Sequence, residues 1–345
     1  MISEWFVTDI LKSTWPGKSV NHTIAAIGSS SLPKCQDFVA QHISPTNPGL
    51  QPRLYGSYHE VYNDPDVDCV YIGTPHSFHK QNCLDAIAAG KNVLCEKPFA
   101  MNSAQAKEVF AAAEAKGVFI MEAMWTRFYP LVKKLQDVLF VEKKLGRIHR
   151  TFCDFGMDVD IPSLPETSRY KDPVLGAGSL LDIGIYSLTW GIVSLTDKVG
   201  SEAEEPEVSS TQTIEHDVDT SSAVLLKYPS TGRQALCTST TNFPGREEFA
   251  RIEGSKGHIT VHSSDAPSSP EYFVFHPKDG GSPQRYDFEK PGRGFFWEAD
   301  AVAHDIKAGR KENSTVPWAE TLRMMRIMDG VRKRGGAKFP GVDEW

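Results

Sequence analysis

The sequence predicts an α/β protein in two parts: a doubly wound parallel sheet, followed by an α+β domain with a predominantly antiparallel, open sheet. Three observations carry this. Up to residue 125, apolar strand-like runs alternate with helical patterns, and strand–helix–strand alternation implies parallel pairing through right-handed crossovers. From Glu207 to about Phe288, alternating strands follow one another with short turns, which implies antiparallel pairing. The 345 residues also exceed the usual span of one domain, so 1–125 and 126–345 are expected to be separate folding units.

The elements follow in order. His22–Ser29 (HTIAAIGS) is an apolar run closed by Gly28 and serines, as a buried strand would be. Val67–Pro75 is a second strand, and the helical pattern from Ser77 to Ala89 stops at Gly90. Asn92–Cys95 is a third, followed by a helix that Ser103 caps and that runs to Lys116, then the strand Val118–Glu122. Helices at Pro130–Leu145 and Ser179–Ser194 flank a strand at Arg147–Phe155 and a Pro-rich loop. Two closing helices, Phe296–Gly309 and Trp318–Arg334, pack back on the body. Their methionines, Met324, Met325 and Met328, read as core filling.

Composition excludes several classes. A net charge of −7, with no clustered basic stretch, argues against a nucleic-acid or anionic-membrane partner. No uninterrupted apolar run of bilayer-spanning length is expected, mean hydropathy is −0.33, and Met1–Leu11 lacks the pattern of a signal peptide. The six cysteines show no CxxC spacing and read as reduced core residues of a cytoplasmic protein.

Ligands of a doubly wound sheet bind beyond the carboxyl ends of its strands. Three segments fall there: Ser29-Ser30-Ser31, Gly73-Thr74-Pro75-His76 and Glu96-Lys97-Pro98. Lys97 either reaches a cofactor or substrate or simply pairs with Glu96 or another carboxylate. Asp182 and Tyr186 stand four apart on a helix and so share a face. They form either an internal hydrogen-bonded pair or a catalytic face turned toward Lys97. His76 and His79 lack further ligands nearby, so no metal is expected.

Glu96-Lys97-Pro98 after a strand, followed by Asp-x-Gly-x-Tyr at Asp182–Tyr186, resembles the glucose–fructose oxidoreductase/inositol dehydrogenase (Gfo/Idh/MocA) family. Within it, AGKNVLCEKPF, FIMEAMWTRFYP, LLDIGIYSLTW and GRGFFWEAD resemble the branch of dimeric dihydrodiol dehydrogenases and fungal NADP-dependent D-xylose 1-dehydrogenases. The resemblance covers nearly the whole chain. It implies a Rossmann-like first domain, a homodimer through the open sheet face, and hydride transfer from a sugar or cyclic diol. D-xylose going to D-xylono-1,5-lactone is the leading expectation, and trans-1,2-dihydrodiol oxidation the alternative. Tyr186 stands where many members carry His.

By the same resemblance Lys97, Tyr186 and Asp182 are catalytic, with Asp182 orienting substrate or lysine. Ser29, Ser30, Ser31 and Lys34 surround the adenosine 2′-phosphate, and Thr74, Pro75, His76, Glu96, Trp125 and Arg127 line the rest of the cofactor. Arg169 and Tyr170 meet the substrate or lie on the surface. No acidic residue ends the His22–Ser29 strand to accept from ribose hydroxyls, so NADP is expected over NAD. A free tyrosine has a pKa of about 10, so Tyr186 acting as base near neutrality needs about 4 kcal/mol of stabilisation, which a neighbouring ammonium is expected to supply.

One departure stands out. Family members begin with a strand and a glycine-rich turn ahead of a helix like Ile2–Leu11, whereas no GxGxxG occurs in this sequence. A shortened N-terminus is therefore expected, leaving the strands at Thr23–Gly28 and Val67–Gly73 facing a gap. The alternative of another class is a non-catalytic sugar-binding paralogue.

Overall fold

The structure, a computed structural model, describes residues 2–12 and 14–344. The chain opens with α1 (Ile2–Leu11), β1 (Ala26–Gly28), α2 (Leu32–Phe38), β2 (Arg53–Tyr55) and α3 (Tyr58–Tyr62). It continues with β3 (Cys69–Ile72), α4 (His76–Ala88), β4 (Asn92–Glu96), α5 (Ser103–Lys116) and β5 (Ile120–Ala123). All pairings here are parallel, as the alternation requires: β1 with β2, and β3–β4–β5. The two groups are separate sheets. Helices cover both faces of β4, so Val93, Leu94, Cys95 and Glu96 are all buried, whereas the equally apolar β1 is only half-buried. A cavity of about 800 Å³ lies where β1 and β3 fail to meet.

The second half comprises α6 (Pro130–Gln136), β6 (Ile148–Gly156), α7 (Ile185–Leu195), β7 (Glu207–Glu215), β8 (Val218–Lys227) and β9 (Gln234–Thr240). After these come β10 (Glu248–Gly254), β11 (Gly257–His262), β12 (Tyr272–Pro277), β13 (Gln284–Asp287), α8 (Phe295–Lys307) and α9 (Trp318–Gly335). The strands form one eight-stranded sheet in the order β13-β12-β11-β10-β6-β9-β8-β7, antiparallel except at β6–β9. α7 packs on β6 and β9. On the opposite, open face Leu225 lies across from Leu236, and both are exposed.

Several expectations need correction. α5 is capped by Asn102, whose side chain accepts from Gln105 N at 2.9 Å, not by Ser103. The helix at Pro130 passes into a π turn over Asp137–Val141 and stops short of Leu145. The stretch Pro173–Leu195 does have the length and composition to cross a bilayer, with a hydropathy of 1.3, but it is buried as the core helix under the large sheet. The short elements α2, β2, α3 and β13 carry too little periodicity to be read in advance.

Candidate active site

The carboxyl ends of β3 and β4, the turn entering α7 and the Trp125–Phe128 turn converge on one site. Lys97 follows β4, and its Nζ donates to Asp182 O at 2.5 Å and lies 3.4 Å from Asp182 Oδ1. Asp182 sits in a π turn, Leu180–Gly184, ahead of α7. Arg169, from the Pro-rich loop, donates to the same Oδ1 at 3.1 Å and stacks over Tyr170 at 4.0 Å. Burial opposes ionisation of Asp182, yet Lys97, Arg169 and His76 together hold its carboxyl well below the usual range.

Tyr186 opens α7 one turn later and is buried. Its hydroxyl accepts from Trp125 Nε1 at 2.7 Å, and the Lys97 ammonium lies 4.8 Å from its ring centroid. Burial, with Glu96, Asp182 and Glu298 nearby, pushes Tyr186 well above 10 despite the Trp125 bond. This is opposite to the lowering expected from Lys97. The physical reason is burial of the phenol, reinforced by the surrounding carboxylates, while the Lys97 ammonium is engaged by Asp182.

Glu96 accepts from the Tyr71 hydroxyl at 2.7 Å, and burial raises its pKa to about 7. His76, the first residue of α4, approaches Gly176 O at 3.3 Å, and burial lowers its pKa to about 3, so it is neutral. Thr74 accepts from Asn82, while its carbonyl receives one nitrogen of His79 at 2.8 Å. The other His79 nitrogen meets Pro98 O at 2.9 Å, which ties the turns after β3 and β4 together. Sequence reasoning missed Tyr71 and Glu298. An acid inside the apolar run FFWEADAVA was the available signal for Glu298, which is fully buried with neither carboxyl oxygen partnered.

Ser29, Ser30, Ser31 and Lys34 lie apart from this centre, at the end of β1 and start of α2, with Lys34 Nζ bonded to Ser30 Oγ at 2.9 Å. Arg127 does not face the site, because Glu320 holds its guanidinium at 2.9 Å inside the protein.

The donor set fits a dinucleotide at two stations. The Ser29–Ser31 hydroxyls and the Lys34 ammonium after β1 suit a phosphate, and the cluster of His76, Lys97, Asp182 and Tyr186 suits the reacting end of the cofactor with its substrate. Among the described residues no glycine-rich turn connects them. A lysine at the carboxyl end of a parallel strand, met by an aspartate and a buried tyrosine from the start of α7, is the arrangement of a nicotinamide-dependent oxidoreductase. The chain belongs to the Gfo/Idh/MocA oxidoreductase family: its NAD-binding Rossmann-fold part matches residues 13–124, and the family's C-terminal domain matches residues 133–260.

Among curated relatives, the NADP(+) D-xylose 1-dehydrogenase of Hypocrea jecorina is 33% identical, covering 98% of this chain and 90% of that protein. The trans-1,2-dihydrobenzene-1,2-diol dehydrogenase of Mus musculus is also 33% identical, covering 93% and 91%. Of solved structures, the aldose–aldose oxidoreductase of Caulobacter crescentus superposes with a TM-score of 0.75 at 25% identity, over 90% of this chain and 88% of that one. A levoglucosan dehydrogenase reaches 0.79 at 17% identity, over 97% and 93%, which speaks to the fold alone.

Two buried acids set a pH dependence. Burial raises both Glu96 and Glu122 to about 7 from 4.5. Between pH 4.5 and 7 the folded state therefore holds more protons than the unfolded chain, and stability falls as pH rises through that window. In Glu122→Gln, the fall in melting temperature across this window is expected to be shallower than in the wild type. An unchanged slope would show that Glu122 is already ionised when folded.

Proposed function

We propose that the protein oxidises the anomeric hydroxyl of a pyranose, D-xylose being the leading substrate and the 1,5-lactone the product, with NADP as acceptor. The observation that carries this is the convergence of Lys97, Asp182 and Tyr186 at the β4 terminus. Bound nicotinamide supplies the hydride acceptor. Tyr186 takes the hydroxyl proton, Lys97 stabilises the oxygen as charge develops, and Asp182 fixes the ammonium through two contacts. Ser29, Ser30, Ser31 and Lys34 receive the 2′-phosphate, which sets NADP above NAD. Thr74, Pro75, His76 and Glu96 border the reacting end.

Because Tyr186 sits high, oxidation accelerates as pH rises, while at neutral pH the protonated tyrosine is poised to donate to a carbonyl in the reverse direction. Oxidation of a trans-dihydrodiol is the second reading, favoured by the apolar wall of Trp125 and Phe155 beside Tyr186. The test is NADPH formation by the 345-residue chain with each substrate, alongside Tyr186→Phe. Turnover of xylose that rises with pH, and that drops by about 10²–10⁴ in the variant, is expected. Folded wild-type protein inactive on both substrates would instead favour a non-catalytic sugar-binding role.

A further inference from the structure

Between β6 and α7 the chain makes an irregular crossing that carries Arg169, and none of residues 162–172 is buried. These residues hold mainly to one another. Lys171 Nζ donates to the carbonyl oxygens of Pro162 at 3.5 Å and Leu164 at 3.3 Å, and pairs with Glu166 at 2.7 Å. The backbone N–H groups of Lys171 and Asp172 both donate to Ser168 O. Among the described residues, the hydrogen bonds and ion pairs of this segment stay within 160–177, with one exception. Arg169 donates to Asp182 Oδ1 at 3.1 Å, while its other terminal nitrogen donates to the Tyr170 hydroxyl at 2.5 Å.

The exception lands on the carboxylate that Lys97 also meets. The ammonium lies 3.4 Å from the same Oδ1, so two cations share one oxygen. Oδ2 receives no donor from the described residues, and the Asp182 side chain keeps 13% of its surface exposed. A carboxylate gripped at one oxygen by charged donors from two elements has little freedom to rotate, so its other oxygen keeps a fixed direction. The Arg169 side chain is 39% exposed, and an ion pair so open to water is weak enough to break and re-form.

We propose that Arg169 is a positioning residue: it latches residues 162–172 to Asp182 and, through the same contact, aligns that carboxylate so that Oδ2 is left for a substrate hydroxyl. Breaking the pair frees the segment and lets Asp182 turn, so closure of the segment and alignment of the carboxylate are one event. The inference rests on the reading of Lys97, Asp182 and Tyr186 as the catalytic group, but the latch itself is measured without turnover.

Amide hydrogen exchange on the full chain reads the latch, with the buried strand β4 as the internal gauge of folding. In Arg169→Met, exchange at Lys171 and Asp172 is expected to quicken by about tenfold, with β4 protection unchanged. Asp182→Asn should quicken the same amides, and the double variant should add little further, because both changes break one contact. If Asp182→Asn loosens β4 as well, the Arg169 variants decide. Turnover supplies the readout that a loop anchor alone would not move. With xylose and NADP, kcat in Arg169→Met is expected to fall by about a hundredfold while the KM for NADP holds, and Arg169→Lys should recover most of it. Unchanged exchange in Arg169→Met overturns the proposal, as does fully additive acceleration in the double variant or an active enzyme whose kcat Arg169→Met leaves untouched. A wild type without turnover that still shows the linked exchange supports the latch and counts against the proposed reaction instead.

Discussion

Lys97→Met is expected to fold and to lose about a thousandfold in kcat, the middle of the range for a positioned proton-transfer group. Methionine preserves the volume of the aliphatic stem and removes the ammonium alone. Two things change together. Asp182 keeps only Arg169 as a direct cationic contact, so its carboxyl moves back up toward the ordinary range. The reacting oxygen also loses the ammonium placed beside the Tyr186 ring, 4.8 Å from its centroid. The rate should therefore fall at every pH, with the alkaline rise left in place because burial and the nearby carboxylates, not Lys97, set the Tyr186 pKa. The KM for NADP should change little, because Ser29, Ser30, Ser31 and Lys34 lie at a different strand end. A kcat within tenfold of wild type would remove Lys97 from the chemistry.

The sequence left open whether Lys97 pairs with a neighbouring carboxylate or turns toward the Asp182–Tyr186 face, and only the family resemblance chose the second. Glu96-Lys97-Pro98 closes a buried run, Asp182 and Tyr186 lie one helical turn apart, and in the fold Lys97 meets Asp182. The separation of β1–β2 from β3–β4–β5 agrees with the expectation that the strands at Thr23–Gly28 and Val67–Gly73 do not pair with each other. What could not be read was direction. Nothing in the sequence says that Asp182 engages the Lys97 ammonium through its backbone carbonyl as well as its carboxylate, with the ammonium 4.8 Å from the Tyr186 ring centroid. Nor could long-range burial be read. Glu298 lies about two hundred residues from Glu96 in sequence, yet burial, with the Glu96 charge nearby, pushes its pKa well up inside the fold. Arg127 illustrates the same limit, since its partner lies far along the chain on α9.

That partner supports the second large effect. Glu320 is buried and accepts from Arg127 at 2.9 Å, from Arg323 at 2.6 Å and from Gly200 N at 3.0 Å. Both arginines are themselves almost fully buried. Glu320→Gln keeps the shape and one acceptor but leaves Arg127 without its carboxylate and Arg323 with only the more distant Glu205, at 3.6 Å. Breaking a buried pair by removing one partner costs about 3–5 kcal/mol, and here one residue serves two cations. Thermal unfolding should shift down by several degrees or more, with the first domain and the large sheet loosening together, because α9 packs on both α5 and β7. Arg127→Met separates a strut from a cofactor contact. A lowered melting temperature with an unchanged KM for NADP in the folded fraction assigns Arg127 to the domain junction. A raised KM at unchanged stability would return it to the dinucleotide site. The geometry favours the first outcome, because a guanidinium already neutralised by a buried carboxylate has little charge left to offer a phosphate.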